Sequence, residues 1–299
     1  MNIGFDRRST AAEVTEGIDL RGRNILITGV NSGLGHESMR VLAERGAHVI
    51  GAARTLAKSR EACGQVEGKT TPVACELSDL DSVRECTEQV TAMGHPLDAL
   101  IYNAGIMAPA NLRQKMGLEM QFLTNHLGHF GLVNRLRGQV EKADAGRIVM
   151  LSSLAHKGAP RSGIDFDNLS GERGYDPWKF YGQSKLANIL CVNALSRRLS
   201  STRATANAVH PGIILTNLSR DVGSGLFARA ASLIAAIAAR SVAQGAATQC
   251  FVATHPGLAG LSGRYFADCR EQRPSAHAQD DALAEKLWQV SARLAADWL

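Results

Sequence analysis

An α/β fold, a doubly wound parallel sheet of about seven strands with helices on both faces, is what this sequence predicts. Two observations predict it. Short apolar runs rich in β-branched residues alternate with longer stretches of helical periodicity from residue 24 onward, and a glycine-rich turn joins the first pair. Such alternation makes βαβ units, and βαβ units make parallel sheets through right-handed crossovers. The 299 residues lie within what one large sheet can absorb, so a single domain over 1–299 is expected.

The elements follow in order. NILIT (24–28) is the first strand, and HESMRVLAERG (36–46) carries helical periodicity behind it. HVIGA (48–52) and TPVAC (71–75) are the next strands, followed by the helical pattern LDSVRECTEQVTAMG (80–94). LDALIY (97–102), RIVMLS (147–152) and TANAVH (205–210) continue the sheet, and GRYFA (263–267) precedes a closing helix over 280–297. These runs are nearly continuous in apolar character, as strands covered on both faces are. Two insertions interrupt the pattern, at 156–177 and 213–240. Each follows the C-terminal end of a strand, where open α/β sheets hold their ligands, so they are expected to form the walls and lid of a substrate pocket.

Composition narrows the function. With 45% hydrophobic and 20% charged residues, the chain has the make-up of an ordinary globular protein. Its net charge of +5 comes from 33 basic and 28 acidic residues with no polybasic run, which argues against a nucleic-acid partner. Cys63, Cys75, Cys86, Cys191, Cys250 and Cys269 form no CxxC pair and no metal spacing with the histidines. They read as buried thiols in a reducing compartment, and no metal is expected. The N-terminal residues lack the apolar core of a signal peptide, so a cytoplasmic location is expected. The apolar stretch 225–241 is broken by Arg229 and Arg240 and is too short to span a bilayer. It can lie on a membrane or cover a pocket; membrane association is not expected.

The strand–turn–helix NILITGVNSGLGHES sets Thr28, Gly29, Gly33 and Gly35 in a TGxxxGxG frame. Glycines there allow a tight turn and let backbone N–H groups approach a pyrophosphate, which the helix N-terminus favours electrostatically. Gly29, Asn31, Ser32, Gly33, Leu34 and Gly35 are therefore expected to hold a dinucleotide in a Rossmann-type fold. The second strand ends in Ala52, Ala53 and Arg54 rather than in an acidic residue. Arg54 offers a planar fork to a 2′-phosphate, with Arg40 and Lys58 adding positive charge, so NADP (NADPH) is expected over NAD. YGQSK (181–185) puts a tyrosine one helical turn before a lysine.

With YNAG (102–105), NHLGHF (125–130), SS (152–153), YGQSK and HPG (210–212) in order, the chain resembles the short-chain dehydrogenase/reductase superfamily from about Asp19 to its end. The wording of its motifs is similar to that of the branch containing retinol dehydrogenases, WW-domain oxidoreductases and protochlorophyllide reductases. The resemblance implies a catalytic tetrad of Asn125, Ser153, Tyr181 and Lys185, with Ser153 chosen over Ser152. It implies that Asn103, Ala104 and Gly105 steady the sheet beside the adenine ribose. Pro211, Gly212, Ile214 and Thr216 would hold the nicotinamide carboxamide, and the chain would form a homodimer or homotetramer. Glu76 and Leu77 stand where the family usually has an aspartate near the adenine, in a D-L or D-V pair after the third strand, and the extra methylene is expected to shift that contact.

In the implied chemistry Tyr181 gives a proton to a carbonyl oxygen, Lys185 lowers the tyrosine pKa and binds the ribose, and Ser153 holds the substrate oxygen. Asn125 maintains a helix irregularity and an ordered water. The expected activity is reduction of a lipophilic or aromatic carbonyl, or oxidation of the matching alcohol. A non-catalytic NADP(H)-binding sensor or scaffold is the alternative, and light-driven tetrapyrrole reduction a third. His36, His126, His129, His156 and His210 are expected to cap, pack or line a pocket. The acidic residues of 165–168 are expected to shape the inserted turn, and Trp178, Phe180 and Phe227 either to line an apolar pocket or to pack in the core.

Overall fold

The computed structural model describes residues 4–214 and 240–299. Its sheet contains β1 (Asn24–Thr28), β2 (His48–Ala53), β3 (Thr70–Ala74), β4 (Ala99–Tyr102), β5 (Arg147–Leu151), β6 (Thr205–His210) and β7 (Tyr265–Ala267), all parallel, and β8 (Arg270–Glu271), which pairs antiparallel with β7. The edge hairpin adds a strand to the seven that the sequence suggests. Asp268 and Cys269 turn it with φ of +58° and +56°, and a strand of two residues is too short to carry a periodicity.

The longer helices are α1 (Gly33–Glu44), α2 (Leu56–Gly64), α3 (Leu80–Ala92), α4 (Gly128–Glu141), α5 (Pro177–Arg198), α6 (Val242–Thr254) and α7 (Asp281–Leu294). Strand order is β8-β7-β6-β5-β4-β1-β2-β3. The winding reverses between β1 and β4, which opens a crevice at the carboxyl ends of those two strands.

Successive residues of β1 serve opposite layers, as strand geometry dictates. Ile25 and Ile27 pack with Met39 and Leu42 of α1, Cys63 of α2 and Phe251 of α6. Leu26 packs with Leu80 of α3, Phe130 and Leu136 of α4, Leu190 of α5 and Leu287 of α7. Side chains cap α2 (Thr55), α3 (Asp79), α5 (Asp176), α6 (Ser241) and α7 (Asp280). Two helices start differently. α4 continues from a π-helical turn over Leu123–Leu127, and α1 begins at Ser32 with no side-chain cap.

The insertion 156–177 is tied down by its own polar groups. Asn168 accepts from Arg173 N–H (2.9 Å) and donates to the Gly174 carbonyl (3.0 Å), and the Tyr175 hydroxyl donates to Pro109 (2.7 Å). Phe166–Asn168 is a single 3-10 turn, and Asn168 rather than an acidic side chain supplies its side-chain hydrogen bonds. Most of the 213–240 insertion, with Thr216 and Phe227, lies outside the described residues. Among the described residues no helix is long and apolar enough to cross a membrane.

Candidate active site

The crevice is lined first by the glycine turn. Gly29 and Gly33 take φ of +76° and +56°, which L side chains rarely adopt. A Cβ on Gly35 would stand 2.3 Å from the Gly29 carbonyl oxygen and 2.6 Å from Asn103 Nδ2, so only glycine closes this turn. The first turn of α1 carries no acidic residue and Ser32 leaves its N–H groups uncapped, with Asn31 and Ser32 exposed beside them. Free N–H groups at the positive end of a helix suit an anion, and the group fits a pyrophosphate. At the far wall Leu34 meets Ile214 across Gly245, where a Cβ would touch both.

Thr28, at the end of β1, ties the turn to β4. Its hydroxyl accepts from the N–H groups of Asn103 (3.0 Å) and Ala104 (3.1 Å), and Asn103 Nδ2 donates to its carbonyl (3.0 Å). Asn103 therefore links the end of β1 to the segment that follows β4. With both acceptor sites used, the hydroxyl proton goes to His129 Nε2 (3.0 Å), and His129 Nδ1–H donates to the Asn125 carbonyl (3.1 Å).

At the adenosine end, Arg54 and Lys58 are exposed and no carboxylate pairs with either among the described residues. Arg40 does not join them. It bridges Glu37 (2.8 Å) and Glu44 (2.5 Å) along α1, so the expectation that it adds free positive charge is overturned. Glu76 is also engaged locally: its carboxylate accepts from the N–H (3.1 Å) and hydroxyl (2.9 Å) of Ser78. Leu77 is buried, and α4 approaches its carbonyl so closely that a Cβ on Gly128 would stand 2.2 Å away.

Asn125, Ser153, Tyr181 and Lys185 converge at the mouth of the crevice. Asn125 sits in the π-helical turn, where its amide exchanges two hydrogen bonds with Ile106 (2.8 and 2.9 Å) and donates to Ser184 Oγ (3.0 Å). The irregular helix expected from the family resemblance is present. Gly105 leaves space beside it, since a Cβ would meet Asn125 Oδ1 at 2.9 Å and Lys185 Nζ at 3.4 Å. Ser153 Oγ accepts from Ala155 N–H (3.2 Å). Ser152, its neighbour in sequence, is buried and donates to the Lys185 carbonyl (2.8 Å), which leaves Ser153 to face Tyr181. Lys185 Nζ lies 5.7 Å from the Tyr181 ring centroid and donates to the Leu151 carbonyl (3.2 Å).

Burial dominates the electrostatics. It pushes the Tyr181 phenol up to about 12, against the opposing hydrogen bond with Ser153, and brings the Lys185 ammonium down to about 8. The net shift of the Tyr181 phenol is upward because desolvation disfavours its anion, and desolvation likewise disfavours the Lys185 ammonium. At neutral pH Tyr181 is a phenol, the form that donates a proton.

Gly182, inside the YGQSK motif, explains the close approach of α5 to the 154–158 turn. A Cβ there would stand 2.6 Å from the Ala155 carbonyl oxygen and 3.0 Å from Ala159 N, both backbone atoms. Gly182→Ala should push Tyr181 away from Ser153, lowering kcat at least about tenfold and costing about 1–3 kcal/mol of stability. Turnover and melting temperature measured together check this; an unchanged kcat would contradict it.

Pro211–Ile214 leaves β6 at the other side of the mouth. Gly212 takes φ +94°, and a Cβ on it would meet the Arg240 guanidinium at 2.6 Å. Arg240 is itself anchored to Asp268 and to the Ile213 carbonyl. Leu154, Trp178 and Ile213 are exposed apolar side chains around this opening, and Trp178 meets Tyr181 edge-on at 6.1 Å. Phe180 is not among them; it packs, buried, against Tyr175. Thr28, His129, Ser152, Gly182, Ser184 and Arg240 were not recognised as site residues from sequence. Thr28, His129, Ser152, Gly182 and Ser184 lie inside the quoted motifs, which could have pointed to them, whereas nothing local marks Arg240.

Comparison with known proteins agrees with this geometry. A family model described as short chain dehydrogenase matches residues 23–165. The chain is 43% identical to short-chain dehydrogenase TIC 32 B, chloroplastic, of Brassica napus, over 97% of this chain and 94% of that protein. It is 38% identical to retinol dehydrogenase 14 of Mus musculus, over 91% and 85%. WW domain-containing oxidoreductase of Homo sapiens is 37% identical, over 97% and 72%. Among solved structures, an uncharacterised protein from Mycobacterium paratuberculosis superposes with a TM-score of 0.77 at 32% identity, over 95% of this chain and 96% of that one.

Proposed function

The chain belongs to the short-chain dehydrogenase/reductase family of oxidoreductases, and on that ground we propose that it is an NADPH-dependent carbonyl reductase, working in reverse as an alcohol dehydrogenase, on lipophilic or aromatic substrates. The observation that carries this reading is the convergence of Ser153, Tyr181 and Lys185 beside a glycine turn fit for a dinucleotide.

The bound nicotinamide supplies the hydride. The uncapped start of α1, with Asn31, Ser32 and Leu34, would bind the pyrophosphate, and Arg54 with Lys58 the 2′-phosphate. Pro211, Gly212, Ile214 and Thr216 would hold the carboxamide end. Ser153 donates a hydrogen bond to the substrate oxygen, Tyr181 passes its phenolic proton to that oxygen as the alcohol forms, and Lys185 supports the tyrosinate left behind. Asn125 keeps Lys185 and Tyr181 in register through Ser184.

Leu154, Trp178 and Ile213 at the mouth favour an apolar substrate, since a cluster of exposed apolar groups beside a polar site marks a place to bury one. One relative is named a retinol dehydrogenase, and a lipophilic alcohol of that kind suits the same opening. All six cysteines are free and buried, which suits a reducing compartment such as the cytoplasm.

Paired fluorescence titrations with NADPH and NADH test the cofactor assignment. Hydrogen bonds to a charged group contribute about 1.5–3 kcal/mol, so Arg54→Asp should weaken NADPH about tenfold to a hundredfold and leave NADH nearly unchanged. Equal loss for both cofactors would remove Arg54 from the 2′-phosphate.

A further inference from the structure

We propose that His156 is a positioning residue that holds Ser153 against Tyr181 by gripping its backbone carbonyl from the segment around Ser275. The inference rests on the reading of Ser153 as the donor to the substrate oxygen.

Ser153 stands where the chain has left β5 and has not yet entered the 3-10 turn of Leu154–Gly158, with extended φ of −157°. Its carbonyl has no strand partner there. His156 supplies two donors to it, the backbone N–H at 3.1 Å and Nδ1 at 2.6 Å. The other ring nitrogen, Nε2, receives the Ser275 N–H at 3.0 Å. A backbone N–H can only donate, so Nε2 carries no proton and Nδ1 does. The bond to Ser153 therefore has a fixed direction, set from a segment more than a hundred residues away in sequence. The ring is 1% exposed and meets the edge of Tyr265 at 5.3 Å, so it has no second orientation to adopt. Held in this way, Ser153 Oγ accepts from Ala155 N–H and keeps its own proton for Tyr181.

The same device occurs at a second candidate catalytic residue. His129 donates from Nδ1 to the Asn125 carbonyl while its Nε2 faces the Thr28 hydroxyl. The remaining two carbonyls are held by hydroxyls: Ser184 donates to that of Tyr181 (2.8 Å), and Ser152 to that of Lys185 (2.8 Å). Every member of the tetrad is thus fixed through its main chain as well as its side chain. A misplacement of about 1 Å at a reacting group can cost a hundredfold in rate.

Two substitutions separate grip from packing. His156→Asn puts an amide nitrogen in place of Nδ1 and can still donate to the Ser153 carbonyl. His156→Gln reaches the Nε2 position, can accept from Ser275, and releases Ser153. Both lose the ring against Tyr265. The expected result is that Gln lowers kcat with NADPH about tenfold to a hundredfold, Asn stays within about fivefold, and the Kd for NADPH is unchanged in both. Equal kcat losses in the two variants, or losses that follow melting temperature, would overturn the grip. Nitrogen-15 spectra of the wild-type imidazoles at pH 7 give a reading that needs no turnover: a neutral ring protonated at Nδ1 supports the proposal, and an Nε2–H ring refutes it. A Tyr181→Phe variant as active as wild type would defeat the tetrad reading instead, with the spectrum still deciding what His156 does.

Discussion

Tyr181→Phe should bind NADPH with wild-type affinity and turn over about 10²–10⁴-fold more slowly, the usual worth of a positioned general acid. The substitution removes one oxygen and leaves the ring against Trp178 and the helix between Asp176 and Arg198 intact. Ser153 loses its partner but keeps the bond from Ala155 N–H, so the substrate-oxygen donor stays in place. The loss should fall on kcat rather than on KM, because the proton is needed only as the carbonyl is reduced. Stopped-flow turnover with a panel of apolar ketones and aldehydes, beside a cofactor titration, measures both. Turnover within a few-fold of wild type would exclude Tyr181 as the acid, and a wild-type chain that binds NADPH but reduces nothing would favour the sensor reading.

Mild acid should strongly destabilise this protein. Burial holds His126 and His129 at about 3 and His210 at about 4, so all three remain neutral in the native state well below their ordinary range. In the unfolded chain each takes up a proton near pH 6.5. The native values are depressed relative to the unfolded ones, so stability is present above pH 6.5 and is lost as pH falls toward 4. Three protons bound only by the unfolded state cost about 4 kcal/mol per pH unit near pH 5. Accumulated from pH 7 to pH 4 the loss is about 9 kcal/mol, comparable to a total stability of about 5–15 kcal/mol. Urea midpoints at pH 7, 6 and 5 would show the slope, and His126→Gln should reduce it by about a third. A midpoint that does not move between pH 7 and 5 would mean that these histidines titrate alike in both states.

The sheet was legible because its strands are buried on both faces and therefore apolar throughout; β6 has the same bounds as the run TANAVH that predicted it. The β8 edge was not, since two residues have no period. At the site, the glycine turn and the Tyr181–Lys185 pair could be read from spacing, because a turn needs glycine at fixed positions and a helix repeats its face every turn. The same spacing rule would have paired Arg40 with Glu37 and Glu44, three and four residues away on one helix, before any phosphate. The tyrosine's net proton affinity was not legible in the sequence. Neighbouring charge is visible in a sequence, but the desolvation that overrides it depends on the whole fold. His129 and His156 are bland residues locally, and their partners Thr28 and Ser275 lie about a hundred residues distant.

That each of the four tetrad carbonyls is clamped by a separate side chain has a consequence for protein design. Copying Asn125, Ser153, Tyr181 and Lys185 onto another scaffold would transplant the reagents without their mounts. A faithful graft needs at least the two serines and two histidines that hold them, together with Gly182, whose missing methyl lets the catalytic helix and the serine turn share the same space.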